Sequence, residues 1–281
     1  MPTTDLFRRK IGGIIFTLRT MGLYYSFREV IRRLLGIPYS YRGVEVRDSK
    51  TFRLIMNLLY LGYDFGVDGE YYFVRTRQGV VYGRVPDVLL IPGVETDYDA
   101  YSVLNVKDNV VIDVGAYLGE TALAFLNRGA KMVYAYEPIP RSYDGLIKTI
   151  KANGVEDRVK AFNYGWWFND GVLKVRMDFT GTGSLPGDTE IKVVNSAKEL
   201  LRISKEVGSD FVAKINCEGC ECSLLTVPCE VLRLAKQYVI EVHGSLVPLI
   251  DKLTGCGFKY EVVKYVRKWV TIINFVRVDN G

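Results

Sequence analysis

The sequence predicts an α/β protein: a mostly parallel sheet with helices on both faces and an antiparallel last strand, preceded by an α+β extension. Three observations point there. From residue 110 onward, short apolar runs of the buried parallel type, led by Val110-Val111-Ile112, alternate with stretches of helical period. The first run ends in Asp113 and a spaced glycine pair, Gly115 and Gly119. The chain closes on two strands, 258–263 and 269–278, too closely joined to run parallel. The composition of the 281 residues, 48% hydrophobic and 25% charged, excludes a disordered or fibrous chain. No apolar run reaches the roughly 18–20 residues that span a bilayer. Residues 1–10 are polar and basic, so no secretory signal is expected.

Residues 1–94 form the predicted extension and 95–281 the α/β domain. Leu6, Ile11, Ile14, Ile15 and Leu18, then Phe27, Val30, Ile31, Leu34 and Leu35, recur near the 3.6-residue period, which predicts one or two helices over 6–35. Gly36 and Pro38 end them. A further helix is expected over 52–61, and a hairpin over 71–85 around Arg77-Gln78-Gly79. In the α/β domain, strands are expected at 110–112, 131–136, 158–163, 211–215 and 238–242. Helices follow from Leu118, around Tyr143 to Ile150, and over 246–253. Ser196-Ala197-Lys198-Glu199 reads as a capping box opening another helix. Extra strands are expected at 171–177 and 190–194 around a glycine-rich loop at 181–184.

Charge is unevenly placed. Residues 1–35 hold Arg8, Arg9, Lys10, Arg19, Arg28, Arg32 and Arg33 against Asp5 and Glu29. The segment thus carries the whole net charge of +5 and leaves the rest neutral. A nucleic-acid enzyme carries excess base around its cleft, so nucleic acid is not the expected partner. Basic and apolar residues together are the composition of an interfacial helix, so peripheral membrane contact through residues 1–35 is one expectation and a helix packed on the domain is the other. The five cysteines sit in the last third, three within 217–222, and are expected reduced in an intracellular protein. Cys217, Cys220 and Cys222 have ligand-like spacing, with Cys229 or His243 to complete a tetrad. Buried cysteine behaves as a small hydrophobe, however, and no metal is expected.

The first strand–helix turn is where ligands bind in such sheets. Asp113, Gly115, Ala116, Tyr117 and Gly119 follow a Gly-x-x-x-Gly spacing rather than the Gly-x-Gly-x-x-Gly that cradles a pyrophosphate. Glu137 ends the second strand, where a carboxylate can accept both hydroxyls of a ribose. Two carboxylates and no phosphate cradle suit a cationic, ribose-bearing ligand, S-adenosylmethionine. Ile139 is expected on its adenine face and Asn163 at the adenine edge. Trp166 and Trp167 are expected to flank the adenine or, for at least one of them, to lie in the core.

The segments 111–121, Gly129-Ala130, Tyr136-Glu137-Pro138-Ile139-Pro140, 213–221, Ile240-Glu241-Val242-His243 and 253–258 together resemble the FkbM family of S-adenosylmethionine-dependent methyltransferases. The resemblance covers roughly residues 95–278. It implies a Rossmann-like seven-stranded methyltransferase sheet and O-methylation of a hydroxyl on a sugar, lipid or other small metabolite. It also places Asn216 where the family has an aspartate, and an amide is no base. His243 is then the first candidate for the general base and Glu218 the second, with Glu241 orienting the histidine; Glu221 is read as a helix-start carboxylate. The acceptor would be a small molecule or glycolipid. The protein would be cytoplasmic, or peripheral on the inner membrane face. An RNA methyltransferase, or a non-catalytic protein of the same fold binding membranes or partners through its N-terminus, remain the alternatives.

Overall fold

A computed structural model describes residues 3–91, 98–177 and 183–278, with the side chains of 3–14, 98, 177 and 183–186 left aside. The expected boundary at 94/95 and the first half of the 181–184 loop lie outside the described residues.

The α/β domain is built on seven strands: β6 (Val110–Val114), β7 (Met132–Tyr136), β8 (Val159–Phe162), β12 (Phe211–Ile215), β13 (Ala235–His243), β14 (Phe258–Arg267) and β15 (Val270–Arg277). They lie in the order β14-β15-β13-β12-β6-β7-β8. The pairs among β8, β7, β6, β12 and β13 are parallel, and β15 runs antiparallel to both neighbours. This is the Rossmann-like methyltransferase sheet. Strand alternation divides its side chains into two cores. Ile112, Val114, Tyr134, Ala213, Ile215, Tyr238 and Ile240 pack against Leu200, Ile203, Leu249 and Leu253 of α5 (Ser196–Val207) and α6 (Val247–Gly255). Val111, Val133, Ala135, Val212 and Val239 pack against Ala122, Phe125, Leu146 and Ile150 of α3 (Glu120–Asn127) and α4 (Pro140–Ala152). The order reverses between β6 and β12, so their carboxyl ends flank the switch point where α/β sheets hold ligands.

A small sheet lies beside this frame. β10 (Gly171–Met177) pairs antiparallel with β11 (Gly183–Asn195), and β11 pairs parallel with β9 (Gly165–Trp167). The cap of α5 differs from expectation. Asn195, not Ser196, is the N-cap and accepts from the Lys198 N–H, while Glu199 is drawn away to Tyr136, Tyr164 and Arg202. A capping-box spacing does not hold a glutamate that has a buried hydroxyl and a guanidinium within reach.

In the extension, α1 (Thr3–Leu35) breaks at Gly22, whose φ of 81° and ψ of 170° are non-helical, so two helices follow one another. The hairpin β1 (Tyr39–Tyr41) and β2 (Val44–Val46), α2 (Ser49–Tyr60) and the sheet of β3 (Asp64–Asp68), β4 (Tyr71–Arg75) and β5 (Val80–Gly83) follow. This part does not close on itself. Val74, Val81, Val88 and Leu89 share one core with Leu118 and Leu123 of the α/β domain. Thr149 accepts from the Tyr82 N–H, Asn153 bonds both backbone groups of Val80, and buried Asp87 pairs with Arg141 of α4.

Candidate functional site

The carboxyl ends of β6 and β7 carry a buried acidic cluster. Asp113 is fully buried. One oxygen stands 2.9 Å from the Lys214 ammonium, and the other accepts from the Thr121 hydroxyl. Lys214, itself buried, also donates to the Gly115 carbonyl at 2.6 Å. Asp113, expected among the cofactor-binding residues, thus also holds the turn through Lys214 and Thr121. Gly115 is required by close approach: at a φ of 77°, a Cβ there would stand 1.7 Å from the Asn216 carbonyl oxygen. Gly119, at a φ of 91°, opens α3 against Leu146 of α4. The Gly115 and Ala116 N–H groups both donate to the Tyr136 carbonyl, and the Ala116 methyl lies in the core.

Glu137 accepts from the Tyr117 N–H at 3.0 Å and the Ile139 N–H at 2.8 Å. Burial raises its carboxyl to about 8 against those two bonds and the pull of Lys214. Glu120, the first residue of α3, is likewise raised by burial to about 8, and its Oε2 is buried with no hydrogen-bond partner among the described residues. Two desolvated carboxyls beside a glycine turn, one of them with an oxygen left over, make a place where a cation is welcome and a phosphate is not. Asn163 donates to the carbonyls of Glu137 and Pro138 and fixes this loop from β8. Ile139, expected against an adenine, packs with Val175, Ile191 and Val193 under the small sheet. Trp166 is core, in edge contact with Tyr136.

A second cluster forms at the ends of β12 and β13. His243 Nδ1 lies 3.2 Å from Glu221, and its Nε2 lies 3.3 Å from Glu218 and 3.5 Å from Glu241. Burial alone would push the imidazole down, but the three carboxylates, Glu218 foremost, override it and raise His243 to about 11. At neutral pH the ring is an imidazolium. Its contribution to stability is complete below the unfolded value near 6.5 and is lost as pH rises through about 11. Glu221 does more than start a helical turn: it accepts from the Gly219 and His243 N–H groups as well as facing the ring. Asn216 donates to Glu241 and to the hydroxyl of Tyr101, which itself donates to Glu241. Glu218 is the carboxylate of the three with solvent access, its side chain 31% exposed against 1% for Glu221 and 7% for Glu241. Lys214, Glu120 and Tyr101 were not singled out from sequence; a lysine inside an apolar strand, Val212-Ala213-Lys214-Ile215, was the available signal for the first.

The expectation of reduced cysteines is corrected. Cys217 bonds Cys220 and Cys229 bonds Cys256, leaving Cys222 free. Clustering misled because Glu218 and Gly219, both at positive φ, turn the chain tightly enough for near neighbours to bridge. Among the described residues no group of His, Cys, Asp and Glu is arranged to hold a metal. Thiol titration of the denatured, unreduced protein is expected to give one reactive cysteine, Cys222; five would show that the bridges are absent.

A cavity of about 420 Å³ lies at the opposite edge of the sheet, lined by Val103, Asn105, Gln237 and Asn274, away from both clusters.

No family model and no curated protein matches the chain in sequence. Several solved structures resemble it. One, from Streptococcus pneumoniae, is described as a candidate tRNA (m1A22) methyltransferase in complex with S-adenosyl-L-methionine. It is 14% identical over 66% of this chain and 75% of its own, with a TM-score of 0.44. M. jannaschii TYW2 in complex with AdoMet is 13% identical over 75% and 89%, with a TM-score of 0.43. A ribosomal protein L11 methylase from Lactobacillus delbrueckii subsp. bulgaricus is 15% identical over 66% and 79%, with a TM-score of 0.40. At this level of likeness the fold is read from the strand order itself.

Proposed function

We propose that the protein is an S-adenosylmethionine-dependent methyltransferase acting on a hydroxyl oxygen of a sugar, lipid or other small metabolite. The observation that carries this reading is the pair of buried carboxyls, Glu120 and Glu137, at the switch point of a seven-stranded sheet of methyltransferase order. The resemblance of its motifs to the FkbM family supports the oxygen acceptor. The turn of Gly115, Ala116, Tyr117 and Gly119 would hold the methionine end, with Glu137 on the ribose and Ile139 and Asn163 shaping the adenine side from beneath. The cofactor supplies an activated methyl on a sulfonium, already a good leaving group. What this chain adds is alignment, the larger part of the barrier reduction, and a proton acceptor. His243, protonated at neutral pH, is not that acceptor on this reading; Glu218 is, and His243 holds it in place.

Two measurements follow from the acidic cluster. Glu137→Ala is expected to weaken S-adenosylmethionine binding by about 1.5–3 kcal/mol, the range for hydrogen bonds to a charged group; unchanged affinity in calorimetry rejects the ribose assignment. Carboxyls raised to about 8 are mostly protonated at neutral pH, and a cationic ligand favours their ionised forms. Binding near pH 7 should therefore release protons, seen as a binding enthalpy that depends on the buffer, and affinity should rise as pH passes through about 8. In the free protein the sign is reversed. Stability falls as pH climbs from about 4.5 towards 8, because the unfolded chain ionises these groups first.

One observation favours RNA as the acceptor. The β14–β15 turn lies at the ligand edge, where the Gly244 N–H bonds the Trp269 carbonyl. It carries exposed Tyr265 and Trp269 beside Arg267 and Lys268, and aromatic and basic side chains together stack on unpaired bases. Tight RNA binding whose logarithm falls steeply with the logarithm of salt would favour that acceptor over a metabolite.

A further inference from the structure

The second half of α1 leaves an apolar face turned outward. Its inward face holds Glu29, which takes both Nε and Nη2 of Arg32 at 2.8 Å and also the Tyr39 hydroxyl, and Arg32 reaches on to Ser49. Glu29 and Arg32 are 4% and 7% exposed. The outward face holds Leu23, Phe27, Val30 and Leu34, spaced so that they fall in one stripe along the helix. Leu23 is 78% exposed, Phe27 61% and Leu34 76%. Tyr24, Leu35 and Ile37 are exposed as well. Met21 and Tyr25 continue the inward face into the core of the extension, so the stripe at 23, 27, 30 and 34 is a second apolar face. The buried ion pair, together with Met21 and Tyr25, fixes the rotation, and the apolar stripe faces out.

We propose that this stripe lies in the interface of a bilayer containing anionic lipid. Charge complementarity selects that occupant. The same 35 residues carry seven basic side chains against two acidic ones, while the rest of the chain is neutral. Arg32 is held inward by Glu29, but Arg19 and Arg33 beside the stripe are exposed, and an apolar stripe with such cations is the arrangement that inserts between headgroups while the cations meet lipid phosphates. No helix among the described residues is long and apolar enough to cross a membrane, and the stripe asks only for a surface. The proposal stands independently of the methyl-transfer reading, since none of these residues belongs to either acidic cluster.

The test is co-sedimentation of the full chain at low salt with vesicles of phosphatidylcholine alone or mixed equally with phosphatidylglycerol. The protein is expected to sediment with the mixed vesicles, to ignore pure phosphatidylcholine, and to be released by salt. The triple variant Phe27→Ser, Val30→Ser, Leu34→Ser is expected to lose about tenfold or more of its vesicle partition. It should keep the wild-type melting temperature, because the substituted side chains support no core. Failure of the wild type to sediment overturns the proposal, as does a folded variant that still sediments. A concentration-dependent dimer that the triple variant abolishes, with vesicles ignored, also overturns it and assigns the stripe to a second copy of the chain.

Discussion

Glu218→Gln is expected to lower turnover by about 10²–10⁴-fold while leaving cofactor affinity near that of the wild type, the range for removing a general base. Attack by an alcohol oxygen needs a group that is unprotonated before the reaction. His243, raised to about 11 by Glu218, Glu221 and Glu241, is not such a group near neutrality. Glu218 is the exposed member of the cluster, on a backbone held at a φ of 55° within the ring closed by Cys217 and Cys220. Glutamine keeps the shape and an oxygen for the His243 N–H but cannot take a proton. The loss should therefore fall on kcat rather than on KM. Full turnover across pH 6–9 in the variant would remove Glu218 from the chemistry. The companion His243→Gln leaves three carboxylates without their shared cation and should cost stability as well as rate.

Gly115→Ala is expected to abolish S-adenosylmethionine binding and to destabilise the fold. The new methyl would sit 1.7 Å from the Asn216 carbonyl oxygen, and the obstacle is backbone, so no rotamer change relieves it. Overpacking of this kind costs about 1–3 kcal/mol, and the left-handed backbone at a φ of 77° adds roughly 1–2 kcal/mol for a residue with a Cβ. The carbonyl it meets begins the loop that carries Glu218, so relief would push the two clusters apart. Gly119→Ala is the milder comparison, since its contact at 2.7 Å is the end of the Leu146 side chain. A Gly115→Ala protein that binds the cofactor normally and melts at the wild-type temperature would refute the close-approach account.

The parallel strands were legible because strands covered on both faces are written as unbroken apolar runs such as Val110-Val111-Ile112. The position of Glu137, just past the end of β7, was legible from the apolar run before it. The short strands at 39–46 and 64–68 were not, being brief and broken by glycine. The charge state of His243 needs three carboxylates at 218, 221 and 241 to converge, and spacing alone does not say which way they point. That Asp113 pairs with Lys214, about a hundred residues away, is a contact no local spacing announces. The rotation of α1 depends on Glu29 and Arg32 as well as on Met21 and Tyr25, and hydrophobic periodicity places the first two in water.

The shared core of the extension bears on how the chain is made. Val74, Val81 and Val88 are synthesised before Leu118 and Leu123, the residues that complete their packing, and emerge from the ribosome ahead of them. Thr149 and Asn153, which anchor β5, come later still. The nascent extension therefore spends that interval with one apolar side uncovered, and synthesis runs well into the α/β domain before the first hundred residues can settle.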